Sequence, residues 1–231
     1  MAKILSPKCS MCPTKVCAPP IGSLEKPSLD RAPAFCPMNN MSDVMDKALS
    51  EYSKPDVREF ARQASIQEFE CYENTPEGRR TKNPRILELI QFSKKMGYKK
   101  LGLAFCTGLP DEAKIVTEIL ENHGFEVVSI RCKTGAIPKE ALGIKPEQKI
   151  GGPDSCENMC NPIAQAEILN AEKVDMAVIL GLCLGHDTLF MQYCHVPMTT
   201  LAVKDRVTGH NPLAAIYTSS GYYSRLMKKS G

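Results

Sequence analysis

From Gly97 onward the 231-residue chain alternates short apolar runs with stretches of helical period, and this alternation restricts the possible folds more than any other property of the sequence. Leu101 to Phe105 is a run of buried-strand type. Asp111 to His123 repeats Ile115, Val116, Ile119 and Leu120 at helical spacing and stops at Gly124, a residue suited to a helix end. Phe125 to Ile130 is the next strand. Asn161 and Pro162 supply an N-cap and a first-turn proline for a helix through Ala171. Val174 to Leu182 is the most hydrophobic strand, Asp187 is placed to cap a short helix through Tyr193, and Met198 to Val203 is a fourth strand. The fold predicted over residues 98–231 is α/β: a small parallel, doubly wound, Rossmann-like sheet of about four strands with flanking helices. Residues 133–155, with four glycines and three prolines, form a connection long enough to suggest a functional loop.

Residues 41–97 read as a helical segment packed on that domain. Ser42 is a candidate N-cap for a helix bearing Val44, Met45, Ala48 and Leu49; a second follows Pro55 to about Cys71; Glu73 to Asn83 reads as a loop; a third helix runs from Pro84 to Gly97. Residues 1–40 differ from both. They hold seven prolines and four cysteines with no apolar period, so they cannot bury a core, and a bound metal is the natural source of order for such an arm.

Cysteine is the compositional outlier, with 11 in the chain, whereas 43% hydrophobic and 24% charged residues are ordinary globular values that exclude disorder, collagen and coiled coil. The longest apolar run, Met176 to Leu184, has nine residues against the roughly 18 of a membrane span, and Met1 to Cys12 has no apolar signal region. A cytoplasmic, reducing location is therefore expected, in which the cysteines serve as metal ligands rather than disulfides. The net charge is only +3 and the lysines are scattered, so neither nucleic acid nor membrane is expected as a partner.

Open parallel sheets bind ligands beyond the carboxyl ends of their strands. Cys106, Cys132 and Cys183 each lie at such an end, and Cys160 stands just before the Asn161-Pro162 helix start on the same edge. One buried cysteine is merely a small hydrophobe, but four converging thiols suit a tetrahedral zinc or an iron–sulfur cluster. In the arm, Cys9-x2-Cys12-x4-Cys17 is followed by Cys36-Pro37. The final Cys-Pro is of ferredoxin type, and the second half lacks the repeated x2 spacing of a zinc ribbon, so an iron–sulfur cluster, [4Fe-4S] as the expected form, is favoured over zinc. Cys71 and Cys156 are the candidates to replace a ligand if one is misassigned. Cys194 is read as packing. His186, Lys204, Arg206 and His210 lie at strand ends on the same rim and could bind a small anionic ligand or offset the charge of a thiolate-bound metal; a solvated charged loop is the bland alternative.

On Ala104-Phe105-Cys106-Thr107-Gly108-Leu109, Cys132-Lys133-Thr134-Gly135, Cys160-Asn161-Pro162-Ile163-Ala164-Gln165-Ala166, Gly181-Leu182-Cys183-Leu184-Gly185-His186-Asp187, Lys204-Asp205-Arg206 and His210-Asn211-Pro212, the chain resembles a family of cysteine-rich proteins of unknown function found mainly in anaerobic bacteria and archaea and labelled only as metal-binding. The resemblance extends over nearly the whole chain. It implies a metal or iron–sulfur protein with an N-terminal cysteine cluster and supplies no substrate; Cys194 stands where serine is expected in such proteins. Three functional classes follow: an electron carrier or redox sensor with a redox partner protein, an enzyme using an open-site cluster on a small anionic substrate, or a zinc-binding structural module.

Overall fold

The four apolar runs pair as one sheet in the computed structural model, which describes residues 5–228. The first four and last three positions, at the edges of the expected arm and α/β domain, lie outside the described residues. The chain divides into two units between Ile66 and Gln67.

The second unit holds the sheet. Strands β3 (Lys100–Phe105), β4 (Glu126–Arg131), β5 (Met176–Leu180) and β6 (Met198–Ala202) are all parallel in the order β4-β3-β5-β6, the doubly wound arrangement expected from the alternation. Side chains on a strand alternate between faces, and two apolar layers result. Leu101, Leu103 and Phe105 of β3 join Met176, Val178 and Leu180 of β5 beneath helices α4 (Arg85–Lys95) and α5 (Pro110–Asn122). Ala104, Ala177 and Ile179 face the other way, onto α6 (Pro162–Ala171) and α7 (His186–Tyr193), where Ala166, Leu169 and Phe190 are wholly buried. Each fully buried leucine contributes about 1.5–3 kcal/mol by leaving water. Gly102 is required on that second face: a Cβ there would sit 2.7 Å from Leu169 Cδ1, so its absence lets α6 lie close on the sheet.

Two expectations need correction here. Residues 73–83 are not a plain loop: β1 (Tyr72–Thr75) and β2 (Gly78–Thr81) form an antiparallel hairpin, with Tyr72 opposite Thr81 and the Arg79 guanidinium over the Tyr72 ring. It is held by polar cross-strand pairs such as Arg80 with Glu73, and so shows no apolar alternation. The helix caps also differ. Ser42 is the first residue of its helix and bonds its neighbour Asp43, while α7 is preceded by Gly185 in a left-handed conformation and Asp187 lies inside the helix, accepting from Thr188 N.

The first unit contains α1 (Pro37–Asn40), α2 (Ser42–Glu51) and the start of α3 (Pro55–Glu70). Among its described residues only Val16 and Cys36 are buried hydrophobics. Asn40 ties the segment together, its Nδ2 donating to the carbonyls of Leu5 and Ala34 at 3.1 Å each.

Candidate metal centre

The β pleat itself places the first two rim thiols. Cys106 continues the even-numbered face of β3 beyond Ala104, and Cys132 continues the face of β4 that carries Val128 and Ile130, so both point toward α6. The register sets Phe105 opposite Arg131, which makes Cys106 and Cys132 neighbours at the carboxyl ends of adjacent strands; Cys132 N donates to Phe105 O at 2.9 Å. Helix α6 brings the third. Its cap residue Asn161 accepts from Ala164 N on its side chain and donates its own backbone N–H to Cys132 O at 2.7 Å, which sets the adjoining Cys160 beside Cys132.

Cys106, Cys132 and Cys160 share one packed cluster, and the Cys132 thiol acts on both of its neighbours. That contact holds the Cys106 and Cys160 thiols well below the usual range, helped at Cys106 by the Gly108 N–H and Lys204 and at Cys160 by Lys133 and His186. Cys132, buried between two sulfurs that take the negative charge, is pushed far up and keeps its proton, even though Thr107 N donates to its Sγ at 3.2 Å. Two thiols of lowered pKa, each with a lysine acting on it, thus flank one whose pKa is raised. Among the described residues no group of three or more His, Cys, Asp or Glu side chains is disposed to hold a metal ion as the side chains stand. The three cysteines follow one another as a chain along this edge, each acting on the next.

Cys183 packs against the same cluster by another route. Strand β5 ends at Leu180, and Gly181, in the left-handed region at φ +65°, turns the backbone where a Cβ would strike Leu109 at 2.2 Å. The alternation that carries Cys106 and Cys132 to their face is broken there, and the Cys183 Sγ accepts from the Arg206 guanidinium at 3.0 Å. His186 opens α7 and acts on Cys160 by its charge. His210 has its Nδ1 at 3.1–3.2 Å from Val203 O and Asp205 N, so it closes its own loop.

In the arm, Cys9 and Cys17 are exposed, Cys12 is half-buried and Cys36 is buried. The Cys12 Sγ accepts from Lys15 N at 3.3 Å, and that backbone bond, with the Thr14 hydroxyl, lowers its pKa; Lys15 is left-handed at φ +45°. No hydrogen bond joins the four arm sulfurs among the described residues. Of the spare cysteines, Cys71 is buried and donates to Gln67 O and Glu88, Cys194 is buried with its thiol pushed up by desolvation, and Cys156 is exposed. Two rim residues were not singled out from the sequence: Lys133 beside Cys160, hidden by its place in a loop, and Gln165, one of three polar residues of α6 with Glu167 and Asn170.

The profile of a family described as "Protein of unknown function (DUF1847)" matches residues 36–201. The uncharacterized protein MJ0455 of Methanocaldococcus jannaschii is 40% identical over 216 residues, covering 94% of this chain and 95% of that one. A crystal structure of Dph2 from Pyrococcus horikoshii aligns with a TM-score of 0.34 at 15% identity, over 69% of this chain and 34% of its own. No helix among the described residues is long and apolar enough to cross a membrane.

Proposed function

The chain belongs to the DUF1847 family of proteins of unknown function, and we propose that it is an iron–sulfur protein whose principal cluster is held by Cys106, Cys132 and Cys160 and serves electron transfer or redox sensing. The observation that carries this is the sulfur chain at the carboxyl ends of β3 and β4 and the start of α6. Its chemistry fits the group. Iron–sulfur clusters take cysteine thiolates, and two of these thiols are already poised to lose their protons. The surrounding groups fit as well: backbone N–H groups of Thr107 and Gly108 point at the sulfurs, and Lys204 and Lys133 offset negative charge, the kind of outer shell that sets reduction potential. When bound, such a cluster supplies one-electron transfer. Cys9, Cys12, Cys17 and Cys36 would hold a second site within the arm.

A second reading is favoured by the Cys183–Arg206 contact. With Cys183 engaged by Arg206, the rim offers three thiolates rather than four, and a cluster held by three leaves one position for a small anionic ligand that Lys204 and Arg206 would bind. The experiment for both is anaerobic purification with quantitation of iron, acid-labile sulfide and zinc, together with a visible spectrum before and after reduction. A brown protein with iron and sulfide in similar amounts, bleaching on reduction, is expected; a colourless protein with zinc and no sulfide overturns the proposal. A Cys183→Ser variant that keeps wild-type iron and sulfide supports the open position, whereas loss of iron makes Cys183 a fourth ligand.

A further inference from the structure

We infer that Gln165 is the positioning residue of the rim, the side chain that fixes where Cys160 sits relative to Cys106 and Cys132. The inference rests on the proposed use of those three thiols. Cys106 and Cys132 are located by the sheet ladder, but Cys160 follows a connection of more than twenty residues; a bridge between Asn158 and Pro138 holds the chain just before it, and how α6 lies on the sheet sets it from the other side. The apolar contacts of Ala166 and Leu169 hold the helix down, yet hydrophobic contact is non-directional and leaves sliding along the helix axis weakly opposed. Directional bonds must set that coordinate.

Gln165 supplies them. It is wholly buried, and its Nε2 donates to Phe105 O at 3.2 Å and to Ile130 O at 2.7 Å. Phe105 immediately precedes Cys106, and Ile130 lies two residues before Cys132, so one carboxamide grips the two strand ends that present thiols. Four residues earlier on the same helix, Asn161 N grips Cys132 O. The two attachments, one helical turn apart, fix both the axial position and the rotation of α6. The other end of the amide argues against a role in stability alone. Gln165 Oε1 is buried without a hydrogen-bond partner among the described residues, a cost that methionine or leucine in the same space would avoid. A buried amide that carries an orphaned acceptor is retained for its donor.

The test compares wild type with Gln165→Met, which keeps length and bulk, in the full chain carrying Cys12→Ser so that the arm contributes no cluster signal. Three quantities are read: iron and sulfide per folded protein, the rate of cluster loss to an iron chelator, and the melting temperature of the apoprotein. The expected result is an apoprotein whose melting falls modestly, by the loss of those two buried hydrogen bonds, while the cluster is lost roughly 10-fold faster or more, the size of effect seen when groups orienting metal ligands are removed. Unchanged content and loss rate overturn the inference. So does a cluster defect matched by an equal fall in apoprotein melting, which would mark Gln165 as a core residue only. Gln165→Glu covers the case in which methionine is not accommodated. Protonated in its buried place it keeps one donation, so intermediate lability is expected and wild-type behaviour counts against the role. If wild type itself carries no cluster, the iron–sulfur proposal fails at that control, and this inference with it; failure in the variants alone leaves the proposal standing.

Discussion

On the sheet rim three sulfurs meet because a β pleat, a strand register and a helix cap each place one of them, and all three devices are anchored in a core of buried leucines, valines and isoleucines. In the arm four candidate ligands are strung along a proline-rich segment where, among the described residues, only Val16 and Cys36 are buried hydrophobics, and there Cys12 is held by its own turn. Same element, different source of order: the rim cysteines are placed by the scaffold itself, whereas the arm has little apolar core, so under the proposed function metal would have to order it. The first kind of site suits a cluster whose surroundings must be tuned; the second suits a cross-link.

The largest effect expected from this difference is on removing metal. Stripping the protein anaerobically should abolish hydrogen-exchange protection of the amides between Cys9 and Cys36, while those of β3 and β5 remain protected, because folding of a small metal-built segment is largely its binding energy. An arm as protected without metal as with it would break the contrast. Next in size is the division of metal between the two sets. Cys132→Ser should remove the rim share and deletion of residues 1–40 the arm share, each roughly half of the total if each thiol set holds its own site. Metal analysis of both variants checks this, and loss of all or none in either one counts against two independent sites.

A smaller effect sharpens the rim's side. Gly102→Ala places a methyl 2.7 Å from Leu169 Cδ1 and 3.1 Å from Val174 Cγ2, both flexible side-chain ends. Overpacking of that kind costs about 1–3 kcal/mol. Thermal unfolding of the second unit should fall accordingly, and because α6 is lifted the rim should load cluster less completely while the arm loads normally. Equal losses in both would show that the rim does not depend on its core.

Much of this was legible in the sequence, for identifiable reasons. Period-2 and period-3.6 patterns located all four parallel strands and their helices, and the rule that ligands bind beyond strand carboxyl ends directed attention to Cys106 and Cys132. The hairpin was not legible, since its strands are exposed and polar and carry no alternation for the eye to find. The turn that leads to Cys183 was hidden too. Extending β5 to Leu182 seems natural from its apolar run, but a left-handed Gly181 ends the strand early, and a glycine's handedness is not written in its neighbours. The lysines facing Cys106 and Cys160 and the grip of Gln165 depend on which segments meet in space. Local pattern carries no record of that.

The smallest expected effect is a control on the comparison. Each unit contains a carboxylate held down to about 2: Glu59 in α3, through the Arg62 guanidinium and Gln63, and Glu157 in the connection before α6, through Lys139 and the Gly151 N–H. A carboxyl depressed in the folded state adds stability that is full above its unfolded value of roughly 4.3 and is lost as pH falls through about 2. Both pairs should therefore persist between pH 7 and pH 5, and their side-chain NMR titrations should run together. Glu59→Gln and Glu157→Gln should each leave melting at pH 7 almost unmoved. Thiolate ligands, by contrast, are lost to protonation at their own sites, so if acid releases metal from the arm and the rim at different pH values, the ion pairs cannot be the cause and the difference belongs to the sulfurs. A midpoint for either metal set that shifts in the Glu157→Gln or Glu59→Gln variant would reverse that assignment, placing control in the scaffold around the site and erasing the distinction between a prebuilt rim and a metal-built arm.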